Sequence, residues 1–179
     1  YWLRGEYQPY TTDELVGLIA MIKPLIPRYC RVNRVIRDIP STNVVAGNKR
    51  TSLRQDVQGE LRKRGETCSC IRCREVRKQD VNRETLRFDD LVYQADGAMV
   101  ANDSEEHFLS YITSDDRIAG FLRLSLPKQD AASLGLTDLI GAAIIREVHV
   151  YGQSLQVGAE RQGAAQHSGL GTLLLQKAD

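Results

Sequence analysis

One stretch constrains this chain more than any other. The run Ala142-Ala143-Ile144-Ile145-Arg146-Glu147-Val148-His149-Val150-Tyr151 reads as a β-strand. After a polar, glycine-containing span come Gln166-His167-Ser168-Gly169-Leu170-Gly171 and the apolar helix start Leu173-Leu174-Leu175. Glycines at 169 and 171 let the backbone turn tightly into a helix and point successive N–H groups outward. Added to the positive end of the helix dipole, those groups make a seat for a pyrophosphate. A plain strand-to-helix connection is the bland alternative. A Rossmann site would need a third glycine in the loop, as well as an acidic residue about 20 positions on, and a Walker loop would need Lys-Ser/Thr after Gly171; the loop has neither the third glycine nor the Lys-Ser/Thr.

The rest of the pattern is a mixed α/β (α+β) chain. Thr11-Thr12-Asp13-Glu14 opens a helix with Leu15, Leu18, Ile19, Ile22 and Leu25 on one face, and Pro24 and Pro27 end it. Cys30 to Pro40 reads as a strand with arginine-rich outward positions. A polar loop leads to a helix over Leu53–Arg64, stopped by Gly65. Leu86, Phe88, Leu91 and Tyr93 begin a strand region. The runs His107–Thr113 and Ile118–Leu126 flank the hairpin signature Ser114-Asp115-Asp116-Arg117. These segments predict three parts: 1–40, a basic linker at 41–85, and 86–179. No apolar run reaches the roughly 20 residues that span a bilayer, so no membrane partner is expected. Beginning at Tyr1 and ending in a helical pattern, the chain reads as an excised piece.

Charge is segregated. Residues 28–87 hold 16 Lys/Arg against 7 Asp/Glu, whereas residues 88–179 hold 6 against 13. Such asymmetry fits one part that faces a polyanion and another with a different task. The candidate phosphate contacts are Arg28, Arg31, Arg34, Lys49, Arg50, Arg54, Arg62, Lys63 and Arg64, because guanidinium forks bind phosphate bidentately. With little aromatic interleaving, the reading is shape and backbone recognition of a folded RNA, not base stacking. Pairing of these arginines with acids elsewhere in a larger protein is the alternative. Cys30, Cys68, Cys70 and Cys73 are four thiols that suit a tetrahedral structural zinc, Zn2+, with Cys30 delivered by the fold or replaced by a His or carboxylate. Disulfides and free buried thiols compete with that reading.

The Gln-x-x-Gly-x-Gly loop after a strand resembles motif A of the GNAT acetyltransferases. Arg146-Glu147-Val148-His149-Val150-Tyr151-Gly152, together with Arg34-Val35-Ile36-Arg37-Asp38-Ile39-Pro40 and Arg74-Glu75-Val76 in the same order, is similar to the Elongator catalytic subunit family. That resemblance implies a GNAT-type, mainly antiparallel sheet with flanking helices, preceded by a small basic zinc-linked module from the end of a radical-SAM domain. It implies acetyl-CoA lined by Glu147, Val148, His149, Val150, Ala165, Gln166, His167, Gly169 and Gly171, with Glu147 or His149 as the base. It also implies tRNA as the polyanion and wobble-uridine (U34) modification of the 5-carboxymethyluridine type in the cytoplasm. S-adenosylmethionine and a 4Fe-4S cluster would serve the whole protein, but Cys68-x-Cys70-x2-Cys73 is not the radical-SAM Cys-x3-Cys-x2-Cys signature. The rest of the radical-SAM domain, a second copy or Elongator-type subunits would be partners. A protein lysine acetyltransferase and a non-enzymatic zinc-stabilised RNA-binding module are the competing functions.

Overall fold

The computed structural model describes residues 1–36, 39–77, 79–93, 104–127, 140–152 and 169–179. The chain divides into two compact units, Tyr1–Cys73 and Arg74–Asp179.

In the first unit, α1 (Thr12–Ile22) packs on α2 (Leu53–Lys63). Thr11 starts α1 through a reciprocal capping box: the Glu14 amide donates to Thr11 Oγ1 (3.3 Å), and Glu14 Oε2 accepts the Thr11 amide (2.7 Å). A cap of this kind contributes about 1 kcal/mol. Pro24 converts the end into a 3-10 turn, Lys23–Leu25. At the end of α2 the amides of Glu66 and Gly65 close on the carbonyls of Leu61 and Arg62, and Gly65 takes φ 68°, a left-handed stop glycine tolerates. Ala20, Leu53, Val57 and Leu61 form the buried core, joined by Leu15, Ile19, Val35 and Ile36.

The expected strand at Cys30–Pro40 does not form over residues 30–36. Its backbone groups bond elsewhere: Cys30 O accepts the Ile71 amide (2.9 Å), and Arg54 Nη2 donates to Val32 O (2.9 Å) and Asn33 O (3.3 Å). Among the described residues no strand pairs with this segment, so an arginine side chain does what a ladder would have done. A single helical turn, α3, follows at Ile71–Arg74.

The second unit is a four-stranded antiparallel sheet in the order β1 (Arg87–Tyr93), β2 (Ser104–Ile112), β3 (Ile118–Pro127), β4 (Ile144–Val150). The hairpin expected at 114–117 is present, with Asp116 in a left-handed conformation (φ 66°). Arg74, almost fully buried, ties that turn down by donating to Asp116 Oδ1 (2.7 Å) and Asp116 O (3.1 Å). Helix α4 (Leu170–Ala178) covers one face, where Leu174 joins Leu109, Leu122 and Leu124 in the core. The other face carries Phe108, Ser110, Phe121, Arg123, Glu147 and His149. The mixed α+β architecture with a mainly antiparallel sheet is the one read from the sequence.

Candidate functional site

β4 is an edge strand. Its inner side pairs with β3, and among the described residues no strand pairs with its outer side. The outward N–H and C=O groups of residues 144–150 can therefore bond a ligand that lies alongside them. Two-residue periodicity holds where the sequence reading required it. Glu147 stands opposite Arg123 and His149 opposite Phe121, so both side chains project from one face.

Their surroundings differ. Glu147 Oε2 accepts a charge-assisted bond from Arg123 Nε at 3.0 Å. His149 lies against the Phe121 ring (centroids 5.9 Å, near-parallel) and the Tyr151 ring (4.4 Å), with no hydrogen-bond partner among the described residues. Val148 is exposed and Val150 half-buried.

Helix α4 starts where β4 ends. A Cβ placed on Gly171 would lie 3.9 Å from Val150 Cγ2. Gly169 is the helix cap, with φ 71° and no side-chain capping bond, and its carbonyl accepts the Leu173 amide (3.1 Å). The amides of Leu170, Gly171 and Thr172 thus have no acceptor within the helix and sit at its positive end. The left-handed cap would cost a side-chain-bearing residue roughly 1 kcal/mol or more. Ala165, Gln166 and His167 lie outside the described residues. The sequence reading overlooked Arg83, whose Nη1 is 3.6 Å from where a Gly169 Cβ would sit. Nothing but its place at the end of the basic run could have flagged it.

In the first unit, the Sγ atoms of Cys68, Cys70 and Cys73 all lie within 4.8 Å of one another. Cys30 Sγ is not in that group, although its carbonyl holds the Ile71 amide next to Cys70. Lys23 is 1% exposed and its Nζ donates to Cys73 Sγ at 3.6 Å. Hydrogen bonds from Cys68 and then Cys73 hold the Cys70 thiol well below the usual thiol range, helped by the Lys23 charge. Cys68, donating to Cys70, is pushed up. The donor set is three soft sulfurs beside a buried cation. It fits a thiophilic metal such as zinc, whose bonds of about 2.3 Å place tetrahedral sulfurs about 3.8 Å apart.

Comparison with known proteins matches both halves. Residues 1–63 match the Radical_SAM C-terminal domain family. The sequence is 41% identical over 184 residues to the tRNA uridine(34) acetyltransferase of Dehalococcoides mccartyi, covering 100% of this chain and 38% of that protein. It is 35% identical over 179 residues to Elongator complex protein 3 of Homo sapiens, covering 99% of this chain and 32% of that protein. The chain is a homologue of the Elongator catalytic subunits. The solved structure of the archaeal Methanocaldococcus infernus Elp3 with an N-terminal deletion superposes with a TM-score of 0.76 at 30% identity, covering 99% of this chain and 41% of that one. The chain therefore spans about a third to two fifths of the length of the relatives it matches.

In this Elongator homologue the nine cations expected to meet RNA divide by environment. Arg50 makes a two-pronged pair with Asp56 (Nε–Oδ2 3.0 Å, Nη2–Oδ1 3.1 Å). Arg54 is engaged by the carbonyls of Val32 and Asn33, and Arg64 by Glu60 at 2.9 Å. Lys63 is highly exposed and only loosely paired with Glu60 at 3.7 Å, and Lys49 and Arg62 are exposed. Arg31 and Arg34 are exposed and Arg28 half-buried, and all three make contacts of their own. No helix among the described residues is long and apolar enough to cross a membrane.

Proposed function

We propose that this chain carries the acetyl-CoA-binding surface of a cytoplasmic tRNA wobble-uridine acetyltransferase. The observation that supports it best is the meeting of an irregular strand, at the edge of the sheet among the described residues, with a glycine-started helix inside one unit. Amides of Leu170 to Thr172 would take the diphosphate of coenzyme A, with the Arg83 guanidinium close by. The outer backbone of β4 would bond the pantetheine amides. An N–H at Val148 would polarise the thioester carbonyl, as an oxyanion donor does. Glu147 and His149 share the face at which the transferred acetyl group would arrive, and one of them would move the proton. The Arg123 pair keeps Glu147 in place, whereas His149 has no hydrogen-bond partner among the described residues.

The metal belongs to the other unit. Cys68, Cys70 and Cys73 would hold a zinc ion, which supplies a structural tie and no reaction step. S-adenosylmethionine and an iron–sulfur cluster would be held by residues other than these. Transfer RNA would meet the exposed Lys49, Arg62 and Lys63. The rest of a radical-SAM domain, further Elongator-type subunits or a second copy would complete the assembly.

The test is acetyl-CoA hydrolysis by the whole protein, with and without tRNA. Stimulation by tRNA is expected. Turnover only with a lysine-bearing peptide would favour a protein acetyltransferase, and no turnover at all a binding module.

A further inference from the structure

The irregularity in β4 is braced from two directions. One step on β3, Arg123 to Leu124, faces two steps on β4, Glu147 to Ile145, so Arg146 is the extra residue of a bulge. A bulge bends its strand and re-aims the neighbouring side chains. The residue after it, Glu147, is held by Arg123 on the adjacent strand at 3.0 Å. The bulge residue itself reaches over β3 to β2, where Arg146 Nη1 meets Glu106 Oε2 at 3.1 Å. Both anchors are fixed in turn. Glu106 is 6% exposed, and its other oxygen accepts Ser125 Oγ (2.6 Å) and Ser104 Oγ (3.2 Å). The Arg123 guanidinium lies 5.5 Å from the Phe108 ring centre and 5.6 Å from that of Phe121. Two ion pairs of opposite polarity therefore grip adjacent residues of one strand.

We propose that Arg123 and Glu106 are positioning residues that fix the β4 bulge, and with it the backbone and Glu147 carboxylate presented to the acetyl end of the cofactor. The inference rests on the acetyl-CoA reading above. Neither residue touches a reacting atom; Arg123 acts through Glu147 and Glu106 through Arg146. An edge strand has one pairing partner, and a slip of one residue turns each of its side chains to the other face. The two pairs oppose that slip at the point where the ladder is already interrupted.

Three variants test this: Glu106→Gln, Arg123→Lys, and the charge exchange Glu106→Arg with Arg146→Glu. Each is titrated, as the whole chain, with acetyl-CoA and with 3′-phospho-ADP, the nucleotide end without the pantetheine arm. Loss of one hydrogen bond between the β4 backbone and the ligand weakens binding by up to about tenfold. The single variants are therefore expected to bind acetyl-CoA about tenfold more weakly while holding 3′-phospho-ADP within about twofold, and the exchange to recover most of the loss. Equal weakening of both ligands would mean the residues only hold the sheet together. No weakening of either would mean the bulge needs no brace. Both outcomes overturn the proposal. Native chain that binds neither ligand overturns the acetyl-CoA reading beneath it.

Discussion

Lys23 offers the sharpest test of the cysteine cluster. Its side chain is 1% exposed, and its Nζ stands 3.6 Å from Cys73 Sγ. Three thiolates and a zinc dication leave one negative charge, which the lysine cancels; a fourth thiolate from Cys30 would leave the site charged. A unit charge pair at this distance, with an effective dielectric near 20, is worth about 4–5 kcal/mol. Deleting one partner of a buried pair costs about 3–5 kcal/mol, because the other is left uncompensated. Lys23→Met keeps the length of the stem and removes the charge. It is expected to lower the stability of the zinc-loaded chain by about 3 kcal/mol and to weaken zinc retention against a chelator. Urea unfolding, together with metal content per chain, measures both. A Lys23→Met chain as stable as the native one, with the same zinc retention, would refute the charge argument. Native chain purified without zinc would refute the site.

Other residues give simpler outcomes. Both ring nitrogens of His107 meet carboxylates, Nδ1 to Asp90 at 3.1 Å and Nε2 to Glu105 at 2.9 Å, an arrangement that needs the imidazolium. Burial opposes the charge, but the bonds to Asp90 and then Glu105 outweigh it and raise the pKa above its ordinary 6.5. Its stabilising contribution is therefore complete below pH 6.5 and lost as the pH rises through the higher folded value, so His107→Gln should flatten denaturation curves measured across that window. Leu174→Ala, at a fully buried position, should cost about 3 kcal/mol in thermal or urea unfolding. Arg83→Gln should raise the Kd for acetyl-CoA about tenfold or more, what one charge-assisted bond contributes, read by titration with acetyl-CoA. Arg62→Gln or Lys49→Gln should reduce the salt slope of tRNA binding by about 1 each, whereas Arg54→Met should lower stability, because its guanidinium holds the backbone at Val32 and Asn33.

What the sequence disclosed depended on how local the signal was. The Thr11–Glu14 box, the Gly65 stop, the 114–117 hairpin and the glycine at 169 are short-range devices, and each was legible because one or two residues determine the backbone there. The strand expected at Cys30–Pro40 is absent over residues 30–36 for a non-local reason. Its alternation was genuine, but a strand needs a neighbour to bond, and Arg54, more than twenty residues on in sequence, supplied the bonds instead. Lys23 was illegible for the same reason: a lysine before a proline looks like a solvated helix end, and only folding brings it against a thiol fifty residues away.

The bulge at Arg146 belongs to that second class, and it bears most on function. Nothing in Ile145-Arg146-Glu147 announces an extra residue, because strand periodicity is preserved from Glu147 to His149 and broken only relative to β3. A regular edge strand would be free to recruit any passing strand along its whole length. A bent one is regular on one side of the bend and displaced on the other, which suits a narrow ligand arm better than a pairing chain. Segregation of the two charges at the bend, an arginine held by Glu106 and a glutamate held by Arg123, follows from the same requirement. If Arg146 and Glu147 were exchanged in the sequence, each would face its own charge, and the strand would lose its register before the rest of the sheet lost its fold.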